Sequence, residues 1–372
     1  MKFTTTTGEL QRVLAKVSGV VPTKSTMPIL ENLLFDLLNN TLTITATDLD
    51  ISQTMFIEVK GSEDGRIAVP SKRLLDTIRS YGADDAVMFD IDTTTNKIGV
   101  KVGKGDFNLT GENAKEFPAV PPFQGKDEVT IETSLLKKII YRTVFAVSTD
   151  ELRPAMMGVL LQNKNKALRA ASTDGHRLVR FTYKFAKELD FKSDIIIPAK
   201  ALNLVNKSLE SGIVKMSMNE THVRFEFDNT DLVARLIDET YPNYESVIPT
   251  ENDKVLTVNR EQMVTALRRV ALYASATTHQ VRLSMRKAGM IISAQDIDFG
   301  GEAKESVDAE YADDDLDIGF NSTYLVDILT HLDSEKIALR FSSPTRAGIV
   351  SPADEKTDED VLMLVMPVRL NN

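Results

Sequence analysis

This chain of 372 residues predicts an α+β protein of three repeated domains, each with two helices packed on antiparallel sheet, and three observations carry the prediction. The segment from Phe3 to Leu14 aligns with Val129 to Ile140 and again with Leu256 to Leu267. Ile67 to Lys72 recurs as Ile195 to Lys200 and, more loosely, as Ile318 to Thr323, each time before a leucine-rich stretch. Thr47-Asp48, Thr173-Asp174 and Gln295-Asp296 fall at matching offsets. Three markers in one order at nearly constant spacing indicate three copies of one unit, and thirds of such a chain sit at the usual domain size. The expected domains are residues 1–125, 126–252 and 253–372. Their joints are marked by Pro121, Pro122 and Gly125, and by Pro249 to Asp253.

The first helix of each copy follows from a 3.6-residue apolar period: Leu10, Val13, Leu14 and Val17; Leu136, Ile139, Ile140 and Thr143; Met263, Ala266, Leu267 and Val270. The opposite faces carry Arg12 and Lys16; Lys137, Lys138 and Arg142; Arg268 and Arg269. Asn259 followed by Gln262 has the form of a capping box, so a helix starts there. The second helices follow the Ile-Pro-Lys marker. Between the helices lie alternating runs such as Thr41 to Ala46, Lys97 to Val102, Val214 to Met218 and Val223 to Phe227. A period of two reads as half-buried antiparallel strands.

The net charge of -10 argues against a nucleic-acid partner, but its distribution reverses that reading. The six expected helices, at 8–17, 71–80, 134–143, 199–210, 260–270 and 323–333, carry net charges of +1, +2, +3, +1, +2 and -2. They total +7, so the rest of the chain carries -17. Basic helices are set on an acidic body. Cysteine is absent, which rules out disulfides, a thiol nucleophile and cysteine-zinc sites, and fits a reducing cytosol. Met1 to Thr4 lacks the apolar core of a signal peptide, and no apolar run approaches membrane-spanning length, so a cytoplasmic protein without membrane partners is expected.

Chemical motifs are few. Gly99 to Gly105 resembles a phosphate loop but has three residues between Gly99 and Gly103 and no Ser or Thr after Lys104, so it reads as a strand and turn. Asp313 to Asp317 imitates a calcium loop, yet Ile318 stands where glycine is needed and Tyr324 where glutamate is needed. Asp48/Asp50 and Asp296/Asp298 would each put two carboxylates on one strand face, enough for Mg²⁺ in a nuclease; their equivalent places in two repeats favour one turn inherited twice. Asp354 to Asp360 reads as a solvated acidic loop. Thr173 to Leu178 has the Asp-Gly of a hairpin turn, followed by His176-Arg177 in this copy alone. No nucleophile partners that His, so a site peculiar to the middle domain is expected there, without catalysis, metal or cofactor.

Several of these residues, Met27 to Leu30, Thr47 to Leu49, Thr173 to Leu178, Tyr241 to Tyr244 and Met366 to Leu370, resemble the bacterial DNA sliding clamp family, the beta subunits of DNA polymerase III. The resemblance runs the full length. It implies the DNA clamp fold and a head-to-tail homodimer, a six-domain ring around double-stranded DNA that acts as a processivity factor and not as an enzyme. A globule of 125 residues is roughly 36 Å across; three in contact leave a hole of about 6 Å and six leave about 36 Å, enough for a duplex of about 20 Å. Two chains are needed to encircle DNA.

The resemblance assigns DNA-facing roles to Lys24, Lys72, Arg73, Arg79, Arg153 and Lys200, contacts that hold phosphates without reading bases. After Arg153 the chain departs from relatives that carry aromatic residues, having Pro154-Ala155. A peptide pocket is implied at Met156, Thr173, Gly175, His176, Arg177, Leu178, Pro242, Val247, Asn321, Tyr324, Pro344, Arg346, Val365, Met366, Pro367, Val368, Arg369 and Leu370. In it Arg177 and Arg369 would hydrogen-bond peptide carbonyls. Its implied ligands are the polymerase III alpha subunit, the clamp loader and other replication and repair proteins. Phe107 and Leu109, against Leu272 and Tyr273, are the implied subunit interface. Two other readings stand beside this one: a metal-dependent nuclease acting through the paired aspartates, and a simple DNA-binding regulator that does not encircle its target.

Overall fold

The computed structural model describes residues 1–120, 122–164, 166–185, 189, 194–297, 299–354 and 358–370. Pro121 of the first expected joint, Asp298 of the paired aspartates, part of the 354–360 loop and the terminal Asn371 and Asn372 lie outside the described residues. Six α-helices occur among those described: α1 (Thr7–Val17), α2 (Ser71–Arg79), α3 (Thr133–Thr143), α4 (Ala199–Ser208), α5 (Arg260–Ala271) and α6 (Ser322–Thr330). Each starts within a residue of its expected start. The apolar period accounts for the match, because Leu10, Val13, Leu14 and Val17 on α1 and Met263, Ala266, Leu267 and Val270 on α5 are all buried. Caps fix the starts: Thr6 Oγ1 accepts from the Glu9 amide at 3.3 Å, and Asn259 Oδ1 from the Gln262 amide at 3.0 Å.

The chain forms two compact units, Met1–Lys137 with Lys200–Leu236, and Lys138–Ala199 with Ile237–Asn372. All strand pairs are antiparallel. The first unit holds a five-stranded sheet in the order Lys60–Glu63, Lys2–Thr6, Ala86–Asp92, Lys97–Val102, Gly105–Thr110. Its eight-stranded sheet runs Asp127–Glu132, Ile213–Met218, His222–Phe227, Thr230–Arg235, Ile51–Glu58, Thr41–Thr47, Asn32–Leu38, Gly65–Pro70. The second unit holds a nine-stranded sheet: Ile195–Pro198, Gly158–Lys164, Ala167–Thr173, Arg177–Lys184, Glu359–Val365, Gly348–Pro352, Lys336–Phe341, Lys254–Asn259, Ala309–Tyr311. A four-stranded sheet completes it: Gly301–Val307, Gly289–Asp296, Gln280–Arg286, Leu316–Asn321.

Repeats therefore meet by strand pairing. Ile51–Glu58 of the first copy pairs with Thr230–Arg235 of the second, Ile51 opposite Ala234. Arg177–Lys184 of the second pairs in the same way with Glu359–Val365 of the third, Arg177 opposite Val365. The sheet crosses each joint without a break, so an apolar seam and a ladder of hydrogen bonds hold it, where a flexible linker would have neither. The strands equivalent to these partners in the first and third repeats, Gly105–Thr110 and Gly301–Val307, each lie at a sheet edge with one side unpaired.

One expectation fails at this level. Arg142, placed by periodicity on the outer basic face of α3, is 1% exposed, and its Nη2 lies 2.5 Å from Asp333 Oδ1. The third repeat covers that turn of the helix, which the apolar period of a single helix does not register.

Candidate functional site

The turns at Asp48, Asp174 and Asp296 are one device used in all three repeats. Asp48 Oδ1 accepts the amides of Asp50 and Ile51 at 3.1 and 2.7 Å, and its second oxygen pairs with Lys200. Asp174 Oδ1 accepts the amides of His176 and Arg177 at 2.8 and 2.9 Å, and Asp296 Oδ1 accepts that of Phe299 at 3.2 Å. Leu49 and Gly175, at equivalent places, both take the left-handed backbone, with φ of 82° and 91°. The glycine suits the turn, whereas Leu49 bears the strain of a side chain there. Asp48 and Asp50 thus sit in a turn and not side by side on a strand. Asp50 reaches Arg235 at 3.8 Å. At Asp48 and Asp50 the paired-carboxylate geometry is not built, and no group of three or more metal-ligating side chains is clustered among the described residues.

Around the middle turn the second unit brings together most of the predicted pocket. His176 stacks on Tyr324 with ring centroids 5.7 Å apart and planes 15° from parallel. The Met366 amide donates to His176 O at 2.8 Å, and the Val368 amide to Gly319 O at 2.9 Å, which lays the tail along the strand leading into α6. Asn321 caps that helix through the Thr323 and Tyr324 amides. Tyr244, in the single turn Tyr244–Val247, packs with Leu160, Leu178, Ala347 and Leu364 in a common core, so the chain segments that carry Pro242 and Val247 and the 344–346 turn are each anchored to it by a neighbouring residue. His176, Pro242, Val247, Pro344, Arg346, Met366 and Arg369 are exposed, while Asn321, Tyr324, Pro367, Val368 and Leu370 are half-buried. Met156, Thr173, Leu178 and Val365 are buried beneath these residues.

Arg177 departs from expectation. Its Nε donates to Asp174 at 3.1 Å, its Nη1 to Asp327 at 2.5 Å and its Nη2 to Phe145 O at 2.8 Å. The guanidinium also lies over the rings of Phe145 and Tyr324, at 5.2 and 5.0 Å from their centroids. Each of its nitrogens has an internal partner, so it braces the turn against α6 and is not offered to peptide carbonyls. Phe145, Asp327 and His331, which stacks on Phe145 at 3.9 Å, complete this brace. Sequence reasoning missed all three. The signal for Asp327 was weak: a carboxylate on an otherwise apolar helix, one turn after Tyr324.

All six predicted DNA-facing cations are exposed. Arg153 is held by Asp150 at 2.9 Å and by Asp174 O at 3.4 Å, and Lys200 by Asp48. Lys24, Lys72, Arg73 and Arg79 have no ion-pair partner among the described residues. At the predicted interface Phe107 and Leu109 are half-buried on the free edge strand, Phe107 edge-on to Tyr81 at 6.1 Å, while Leu272 and Tyr273 are 82% and 49% exposed. Phe299, 89% exposed between the paired strands Gly289–Asp296 and Gly301–Val307, was not anticipated.

Three copies of one α+β unit joined through their sheets, with basic helices, define the class of the DNA clamps. Family models of the DNA polymerase III beta subunit match in series: the N-terminal domain over residues 1–121, the central domain over 130–243 and the C-terminal domain over 245–369. The beta sliding clamp of Pseudomonas aeruginosa is 31% identical over 373 residues, and that of Chlamydia muridarum 30% over 376, each alignment covering the whole of both chains. Among solved structures, the sliding clamp of Bartonella birtlesii bound to griselimycin superposes with a TM-score of 0.94 at 30% identity, and that of Bacillus subtilis with 0.93 at 28%, again over the whole of both chains. The chain belongs to the DNA polymerase III beta subunit family. It is a sliding clamp of DNA replication, a non-catalytic processivity factor whose partners are DNA and replication proteins, and neither the nuclease nor the simple regulator is favoured. No helix is long and apolar enough to cross a membrane among the described residues.

Proposed function

We propose that two copies close head to tail into a cytoplasmic six-domain ring, with Gly301–Val307 of one chain pairing with Gly105–Thr110 of the other. One observation carries this reading: those free edges are the repeat equivalents of the strands already paired at both joints within the chain. Carrying the same register over puts Gly301 opposite the partner's Leu109 and Ala303 opposite the partner's Phe107, small residues against large ones, with Leu272 and Tyr273 beside them. Covering such side chains contributes about 1.5 to 3 kcal/mol each. Phe107→Asp with Leu272→Asp should therefore give monomers in sedimentation; a double variant that remains dimeric would show the joint to be misplaced.

In this ring Lys24, Lys72, Arg73, Arg79, Arg153 and Lys200 face the duplex and hold phosphates loosely, as sliding requires. The groove from His176 to Leu370 takes short linear peptides from the polymerase III alpha subunit, the clamp loader and other replication and repair proteins. Exposed Met366, Pro242 and Val247 give it an adaptable apolar surface. Arg369 is the arginine left to meet peptide carbonyls.

A further inference from the structure

The two joints inside the chain share an ion pair at matching positions. Lys16 on α1 reaches Glu210, just beyond α4, at 2.6 Å and Ser208 O at 3.1 Å. Arg142 on α3 reaches Asp333, just beyond α6, at 2.5 Å. The repeat register makes Lys16, Arg142 and Arg269 equivalent, and likewise Glu210, Asp333 and Gly82. In each joint a cation on the first helix of one repeat is latched to an acid past the second helix of the next. Where two chains meet, the cation is kept and the acid is a glycine. Arg269 instead turns to Glu305 of its own sheet, its Nε 2.9 Å from Oε2.

Nothing in the backbone demands that glycine. Gly82 is not among the residues with positive φ, and a Cβ there would meet only Asp85 Oδ2 at 3.4 Å, an ordinary contact. The loop also carries Asp84 and Asp85, both exposed, and the Asp85 carboxylate is engaged within the loop, where it accepts the Gly82 amide at 2.9 Å.

We propose that Gly82 sets how readily the contact between subunits parts: that contact is a repeat joint with its latch removed, lacking the ion pair that Lys16–Glu210 and Arg142–Asp333 supply at the two joints within each chain. This rests on the head-to-tail reading above.

The test is subunit exchange between full-length dimers carrying donor and acceptor dyes. Gly82→Glu restores the acid and should slow exchange by about fivefold, the scale of one exposed ion pair, whereas uncharged Gly82→Gln should leave it within about twofold of the parent. Adding Arg269→Gln to Gly82→Glu should restore the parental rate. Equal exchange of the Glu and Gln variants would overturn the proposal. Two further variants keep it testable if Gly82→Glu fails to fold: Arg269→Gln and Asp84→Asn, each alone in the parent, should change exchange less than about twofold, and about tenfold acceleration by either would show that a cross-joint latch already exists. A parent protein that is monomeric would instead refute the head-to-tail reading itself.

Discussion

Arg177 shows how one side chain can serve a binding site without touching the ligand. Two carboxylates and a carbonyl hold its charge away from water, so removing one partner leaves a desolvated cation that is costly to keep. Asp327→Asn should loosen the His176 turn from Tyr324 and weaken peptide binding by about tenfold or more, with the dimer intact in sedimentation; undiminished affinity in a fluorescence titration would remove Asp327 from the site. His331 lies in the same brace, with Nδ1 2.7 Å from Asp327 O. Burial is the main influence on it and holds its imidazole below the ordinary value of 6.5, aided by the nearby charges of Arg177 and Arg142. The unfolded chain then binds the proton more readily than the folded one. The stabilisation from neutral His331 is present above about pH 6.5 and is lost as the pH falls toward the lower folded value. The melting temperature of the parent should therefore drop more between about pH 7.5 and about pH 5.5 than that of His331→Phe, and equal drops would show that His331 is not coupled to folding.

At the scale of elements, the tail illustrates a segment bound for its surface more than for the core. Val365 is the last residue of its strand, and the Met366 and Val368 amides fasten the tail to His176 and Gly319. Removing residues 366–372 should leave the nine-stranded sheet and the dimer standing yet eliminate binding of a labelled polymerase peptide, because the groove loses one wall with its anchors. Removing only Asn371 and Asn372 should be nearly silent. Helices and hairpins were legible in the sequence, since a 3.6 period, a cap and an Asp-Gly turn are local signals. The pairing of strands between repeats was not, because any alternating strand offers the same edge to several partners and only the packed layers select one.

For the whole molecule, retention on DNA should depend on topology. A ring needs few strong phosphate contacts, so it should stay on closed circular DNA in salt that strips an ordinary DNA-binding protein, and leave quickly once the circle is cut. Equal retention on linear and circular DNA would sink the ring. Replacing Lys72, Arg73, Arg79 and Lys200 together should weaken loading and direct DNA binding with dimerisation unchanged, whereas single replacements should do little. Lys200 should contribute less than Lys72 or Arg73, since Asp48 already neutralises much of its charge.

The sequence by itself determined the threefold repeat, the helices with their buried faces, the strand-turn-strand units and the excess of basic charge on the helices. All of these depend on residues within a few turns of one another or on direct comparison of the copies. Only the tertiary structure decided that Arg142 is buried, that Arg177 is a brace, that Asp48 pairs with Lys200, and that the sheets run unbroken across both joints. The physical reason is common to all four. Burial and pairing of a polar group are set by whatever chain arrives from far along the sequence, and the apolar period of one element carries no record of which neighbour will cover its polar face.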